Sequence, residues 1–176
     1  MRRSPHTLMP LIAIMLLAAL LSGCAGMSGS SDSQRPPLER LGARAARAVI
    51  EGAGSEQPMT LQMAPLEADA AFGADAARRL DNALTRALLA LPNGPQLIPA
   101  FVGPDDLAQL PADQWLLTST LRAPSQALQL TDRQLQPYRL LLSLYRGGSA
   151  TPFWQRTLEG VLEHRDLPPS NADTSP

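Results

Sequence analysis

Few side chains in this 176-residue sequence could carry out chemistry, and their spacing narrows the choice further. There is one cysteine, Cys24, and there are two histidines, His6 and His164. A His/Cys metal site needs three or four ligands, and a thiol nucleophile needs a neighbouring base. His6 lies in an apolar leader, so His164 stands alone, and a solvated chain terminus after Glu163 is its plain reading. No G-x-S-x-G stretch presents a serine. Asp105-Asp106 follows Pro104, where capping of a short helix explains it better than paired acids. Glu67 and Asp69 fall after a predicted strand and are expected to be solvated. Gly52 to Ser55 is followed by neither a second glycine at the right spacing nor the lysine of a phosphate loop. The sequence therefore presents no active site, and a non-enzymatic protein without cofactor or metal is expected. Candidate partner contacts remain. Arg40, Arg44 and Arg47 share a predicted helix face and suit an acidic partner, with a solvated face as the alternative. Phe153 and Trp154 point to opposite faces of a predicted strand. One belongs in the core, and Trp154 is taken as a candidate contact, with filling beneath a helix as the alternative.

Cys24 has a third use. Arg2 and Arg3, an unbroken apolar run from Leu11 to Leu21, and small residues before the cysteine follow the order of a secretory signal peptide. The run is too short for the ~20 residues a spanning helix needs. Leu21-Ser22-Gly23-Cys24 resembles the bacterial lipobox. That resemblance implies cleavage after Gly23, thioether lipidation of Cys24 and N-acylation. A free thiol behind an ordinary signal peptide is the alternative. Acyl chains contribute ~0.8 kcal/mol per buried CH₂, so several of them hold a protein on a bilayer. Ala25, not aspartate, follows the cysteine. In the lipoprotein-sorting pattern this implies the outer membrane, with the protein on its periplasmic face.

Without Arg2 and Arg3, 13 basic residues stand against 16 acidic ones, a net charge near −3. Such a mild balance argues against a nucleic-acid partner, which needs a concentrated basic face. Every basic side chain is arginine, which reads as genome composition. An acylated Cys24 leaves no disulfide, so stability rests on an ordinary core, and the length suits one domain with tails. The expected organisation is a signal peptide over 1–23, a Gly/Ser-rich flexible tether over 24–35, a domain over 36–166 and a disordered tail over 167–176.

The elements that would position these residues are legible. Pro37 opens a helix to about Glu51, with Leu38, Leu41, Ala45, Ala48 and Val49 on one face and Gly52 and Gly54 ending it. Residues 59–66 alternate as a half-buried strand with Gln62 on its wet side. Gly73 to Leu91 forms a second helix, with Ala76, Ala77, Leu80, Leu84, Ala87, Leu88 and Leu91 as its stripe. Asp75 and Arg79 make an i,i+4 pair on its outer side. Residues 96–101 read as a short strand that Pro99 sends to an edge. Three alternating strands follow, over 114–122, 138–146 and 153–164, the last two joined by a hairpin loop. The expected fold is α+β: one mixed sheet of about five strands, two main helices on one face, order α-β-α-β-β-β-β.

This series of a strand, the helix "LDNALTRALLALP", the strand "LIPA", then "WLLTSTLR", "YRLLLSLYR" and "FWQRTLEGVLE" resembles the LpoB-type lipoproteins. These activate penicillin-binding proteins and share a fold with CsgG and the TolB N-terminal domain. Phe153, Trp154 and Gly160 match the aromatic-rich last strand of that family. The resemblance covers roughly 36–163. It implies a periplasmic binding module that docks on a class A penicillin-binding protein and regulates peptidoglycan synthesis. The family's long Pro-rich tether is replaced here by one that reaches only about 38 Å when extended. The alternative expectation is a structural subunit of an envelope secretion or transport assembly.

Overall fold

Residues 35–54, 60–73, 75–92, 94–98, 107 and 110–163 are described by a computed structural model of the chain. The chain divides into two units, Met1–Arg35 and Pro36–Pro176, and the elements below belong to the second. Helix α1 spans Pro37–Ala53 with a proline in its first turn, where a missing N–H is harmless. Strand β1 (Thr60–Met63) and the two-residue β2 (Glu67–Ala68) follow, then a 3₁₀ turn over Ala70–Phe72. Helix α2 is Ala76–Leu89, and β3 is Gln96–Ile98. The chain closes with β4 (Gln114–Arg122), β5 (Leu128–Gln129), β6 (Gln134–Arg146) and β7 (Trp154–Glu163).

All seven strands join one mixed sheet, α+β in class. The order β3-β1-β4-β6 runs across it, β2 lies on β4 beside β1, and β5 and β7 both pair with β6. β1 is parallel to β3 and to β4, whereas β4, β6 and β7 form an antiparallel meander. The two short strands prolong the ranks of β1 and β4, so the sheet is five ranks wide. Pro137 sits where β6 has left β5 and not yet met Arg122 of β4, a gap that needs no ladder donor. The Gln136 amide closes the gap by donating to the carbonyl of Ser125 at 3.1 Å.

Both helices cover one face. Trp115, Leu117 and Leu121 of β4 and Tyr138, Leu140, Leu142 and Leu144 of β6 meet Leu38, Leu41, Ala45, Val49, Leu80, Leu84 and Leu88 in the main core. The predicted apolar faces of α1 and α2 are the buried ones. The helices approach closely because Gly42 lacks a side chain: a Cβ there would lie 2.8 Å from the Ala83 backbone. On the opposite face a small second cluster of Ala64, Leu107, Leu110 and Leu116 packs with Tyr145.

Several local expectations change. α1 runs two residues further, past Gly52, and ends at Gly54, whose φ of 68° suits only glycine readily. α2 begins at Ala76, not at Gly73, because Gly73 closes the 3₁₀ turn over 70–72 with a φ of 80°, outside the right-handed helical region. Asp75 pairs with Arg78 at 2.8 Å, not with Arg79, since it flanks the helix and reaches the i+3 side chain first. Gln62 is buried, because it lies level with Leu116 on the sheet face that carries the second cluster, and its amide donates to Gln114 Oε1 at 2.8 Å. β6 starts four residues before Tyr138. Asp69, expected to be solvated, accepts from the Ala123 N–H and from Arg122, both at 2.8 Å, and ties the end of β2 to the end of β4. Cys24, Asp105, Asp106, His164, the leader, the tether up to residue 34 and the tail lie outside the described residues.

Candidate interaction surface

The outer flank of α1 carries the arginines that the sequence marks as candidate contacts. Around the helix axis, Leu41, Ala45 and Val49 point to the sheet, and Gly42 and Ala46 turn toward α2. Arg40, Arg44, Arg47 and Glu51, spaced i, i+4, i+7 and i+11, fall on the side away from α2. All four are exposed. This flank lies over β7. Glu51 accepts from Arg156 of β7 at 2.7 Å, and Gly52 lies against the Trp154 ring. Arg44 donates to the Tyr138 hydroxyl at 3.2 Å. Tyr138 leans across its β7 partner Gly160, where a Cβ would come within 2.7 Å of the hydroxyl. Arg40 and Arg47 have no partner among the described residues. The other acid of α1, Glu39, is engaged elsewhere, by Arg86 of α2 at 3.3 Å. The three arginines proposed from sequence are therefore brought together, and no acid of α1 neutralises them.

Trp154 is placed differently. It is half-buried and fills the space under Gly52 of α1, the role given as the alternative to partner contact. The aromatic left more open is Phe153, 39% exposed. Its ring meets Trp115 edge-on at 4.8 Å between centroids, and the Arg146 guanidinium lies over both rings, 4.8 Å from the centre of Phe153 and 5.6 Å from that of Trp115. Alternation misled here because the hairpin connection turns Phe153 back on to the first residues of β4.

Sequence reasoning also missed the free edge. β7 is hydrogen-bonded only to β6 among the described strands, so ten residues of backbone present their second side outward. The charges within its alternation, Arg156 and Glu159, were the available signal, because edge strands carry such residues. Both are drawn on to the faces of the sheet: Arg156 to Glu51, and Glu159 to Arg139 at 2.8 Å.

Among the described residues no acid, base and nucleophile are gathered in one cleft. Among the described residues, no three His, Cys, Asp or Glu side chains gather where a metal could be held, and no helix is long and apolar enough to cross a membrane. A groove of about 200 Å³ between the start of α1 and α2 is lined by Pro36, Leu38, Glu39, Arg79, Asn82 and Arg86. The Ala123 N–H, then the Arg122 side chain, hold the Asp69 carboxyl below the usual range. The Arg78 hydrogen bond does the same for Asp75. Partial burial alone pushes Asp81 up. These shifts belong to structural ion pairs and a desolvated helix position, not to an acid and base sharing a cleft.

No family model matches the chain, and no curated protein matches it. Among solved structures it is similar to a lipoprotein of Neisseria meningitidis, with 13% identity over 65% of this chain and 88% of that one, TM-score 0.41. It is also similar to the LpoB C-terminal domain of Salmonella enterica, with 12% identity over 68% and 93% of the two chains, TM-score 0.41. The LpoB C-terminal domain of Escherichia coli aligns at 12% identity over 72% and 98%, TM-score 0.38. These are likenesses of chain path between dissimilar sequences.

Proposed function

We propose that this protein is a lipid-anchored envelope lipoprotein that acts by contact: it docks on a class A penicillin-binding protein and regulates peptidoglycan synthesis. The observation that carries the reading is Leu21-Ser22-Gly23-Cys24 at the end of an apolar leader, ahead of an α+β domain. A lipid on Cys24 keeps the domain at a membrane surface, from which the tether sets its reach. The order of helices and strands that resembles LpoB-type activators supports the choice of partner. The arginine flank of α1 supplies a surface whose charge is left for another molecule. Regulation by contact requires no chemistry of the domain's own. A partner that binds the active conformation of a synthase better than the inactive one shifts the population by that difference in affinity.

The direct test uses the purified full chain in detergent with a class A penicillin-binding protein from the same organism. Binding, with a raised rate of glycan polymerisation or cross-linking, is the expected result. Lengthening the tether by ~30 residues adds about 100 Å of maximal reach and strengthens activation in cells if distance limits it. An absence of binding to every class A synthase of that organism refutes the reading.

A further inference from the structure

Among the described residues the edge of β7 is open, and it lies beside the arginine flank of α1; together they define what fits. An unpaired strand edge has backbone donors and acceptors that another extended chain satisfies in register. The arginines stand above that edge on the helix side. Arg40 to Arg47 spans about 10.5 Å at 1.5 Å per residue. A strand added to β7 projects a side chain toward the helix side every ~6.6 Å. Two acidic residues at i and i+2 of such a strand therefore fall beneath three arginines. The charges that would block the edge are tied to its faces, as Arg156–Glu51 and Arg139–Glu159.

We infer that β7 and the Arg40–Arg44–Arg47 flank form a docking site for an extended acidic segment of a partner protein, taken up as an added β-strand. The inference rests on the reading of the protein as a contact-acting module and names the chemistry of the contact. A second copy of this chain fits poorly. Pairing β7 with itself about a two-fold axis puts both α1 helices on one side of the joined sheet and brings their arginines together. An anionic membrane offers the charge but no ordered backbone to pair with ten strand residues.

The test uses the full chain and a fluorescein-labelled ten-residue synthetic peptide alternating glutamate and threonine, read by anisotropy at low salt. The expected result is saturable binding that the lysine–threonine counterpart lacks. The double variant Arg40→Glu, Arg47→Glu should weaken it by about tenfold or more. Both side chains are exposed and, among the described residues, unpaired, so folding survives, and circular dichroism checks that it does. N-methylation of every second peptide amide distinguishes strand addition from charge alone. One phase, whose N–H groups face β7, abolishes binding, and the other leaves it. Equal binding of both methylated phases, equal binding of the lysine peptide or no binding at all overturns the inference. So does retention on phosphatidylglycerol vesicles without peptide binding, or concentration-dependent dimerisation that the two substitutions enhance. Failure here and failure of the activator reading are separable. A synthase bound equally by the parent and the double variant retains the activator and moves the contact elsewhere. A peptide that docks while no synthase binds does the reverse.

Discussion

Asp69 and Asp81 are ordinary carboxylates that the fold pushes in opposite directions. The Ala123 N–H and Arg122 favour the ionised form of Asp69, so its folded pKa lies below its unfolded one. The stability it contributes is present above the unfolded value, near 4, and is lost as pH falls through the folded value. Asp69→Ala should therefore lower the melting temperature near neutral pH, and the gap from the parent should close in strong acid. Asp81 has the other sign. Burial raises its folded pKa, so at neutral pH the ionised group opposes folding. Asp81→Asn should raise the melting temperature near neutral pH, and the gain should vanish once the parent is protonated. Thermal melts at several pH values check both; two curves of the same sign contradict the assignment.

At the level of elements, the helix faces decide the energetics. Leu88 is fully buried under α2, so Leu88→Ala should cost about 2–5 kcal/mol. Arg86, with an exposed partner in Glu39, should cost well under about 1 kcal/mol on truncation. Denaturant titration of both variants checks the orientation of the helix. Gly42 is the tighter test of the α1–α2 contact. Gly42→Val drives a side chain into the Ala83 backbone and should cost about 1–3 kcal/mol, or displace the helix pair. Helix existence and apolar faces were legible in the sequence, because 3.6-residue periodicity is a local property. The 3₁₀ turn and the two-residue β2 and β5 were not, because such short elements leave no period, and β2 exists only by pairing with β4 far along the chain. The early start of β6 was not, because it is set by pairing with β5 and with the end of β7.

The proposed lipid anchoring is tested at the scale of the whole molecule. With Cys24 as the single lipidation candidate, Cys24→Ala should move the protein from the membrane fraction to the soluble periplasm. Ala25→Asp should hold it at the inner membrane if the sorting pattern applies. Fractionation of the three forms reads the outcome, and a Cys24→Ala protein that still sediments with outer membranes removes lipid anchoring.

The sequence by itself determined the class of the fold, the buried faces of both helices, the three long strands and the shared face of Arg40, Arg44 and Arg47. All of these follow from residue type and short-range spacing. Only the tertiary structure decided which of two neighbouring aromatics would be covered. Trp154 lies under α1 because Gly52 leaves room there, while Phe153 meets Trp115, about 40 residues distant in the chain. Tertiary structure alone likewise made β7 an edge and set the arginines beside it. An edge is a statement about which strand is missing, and a flank is free only when α2 has taken the other one. Neither fact is local, so neither leaves a period in the sequence.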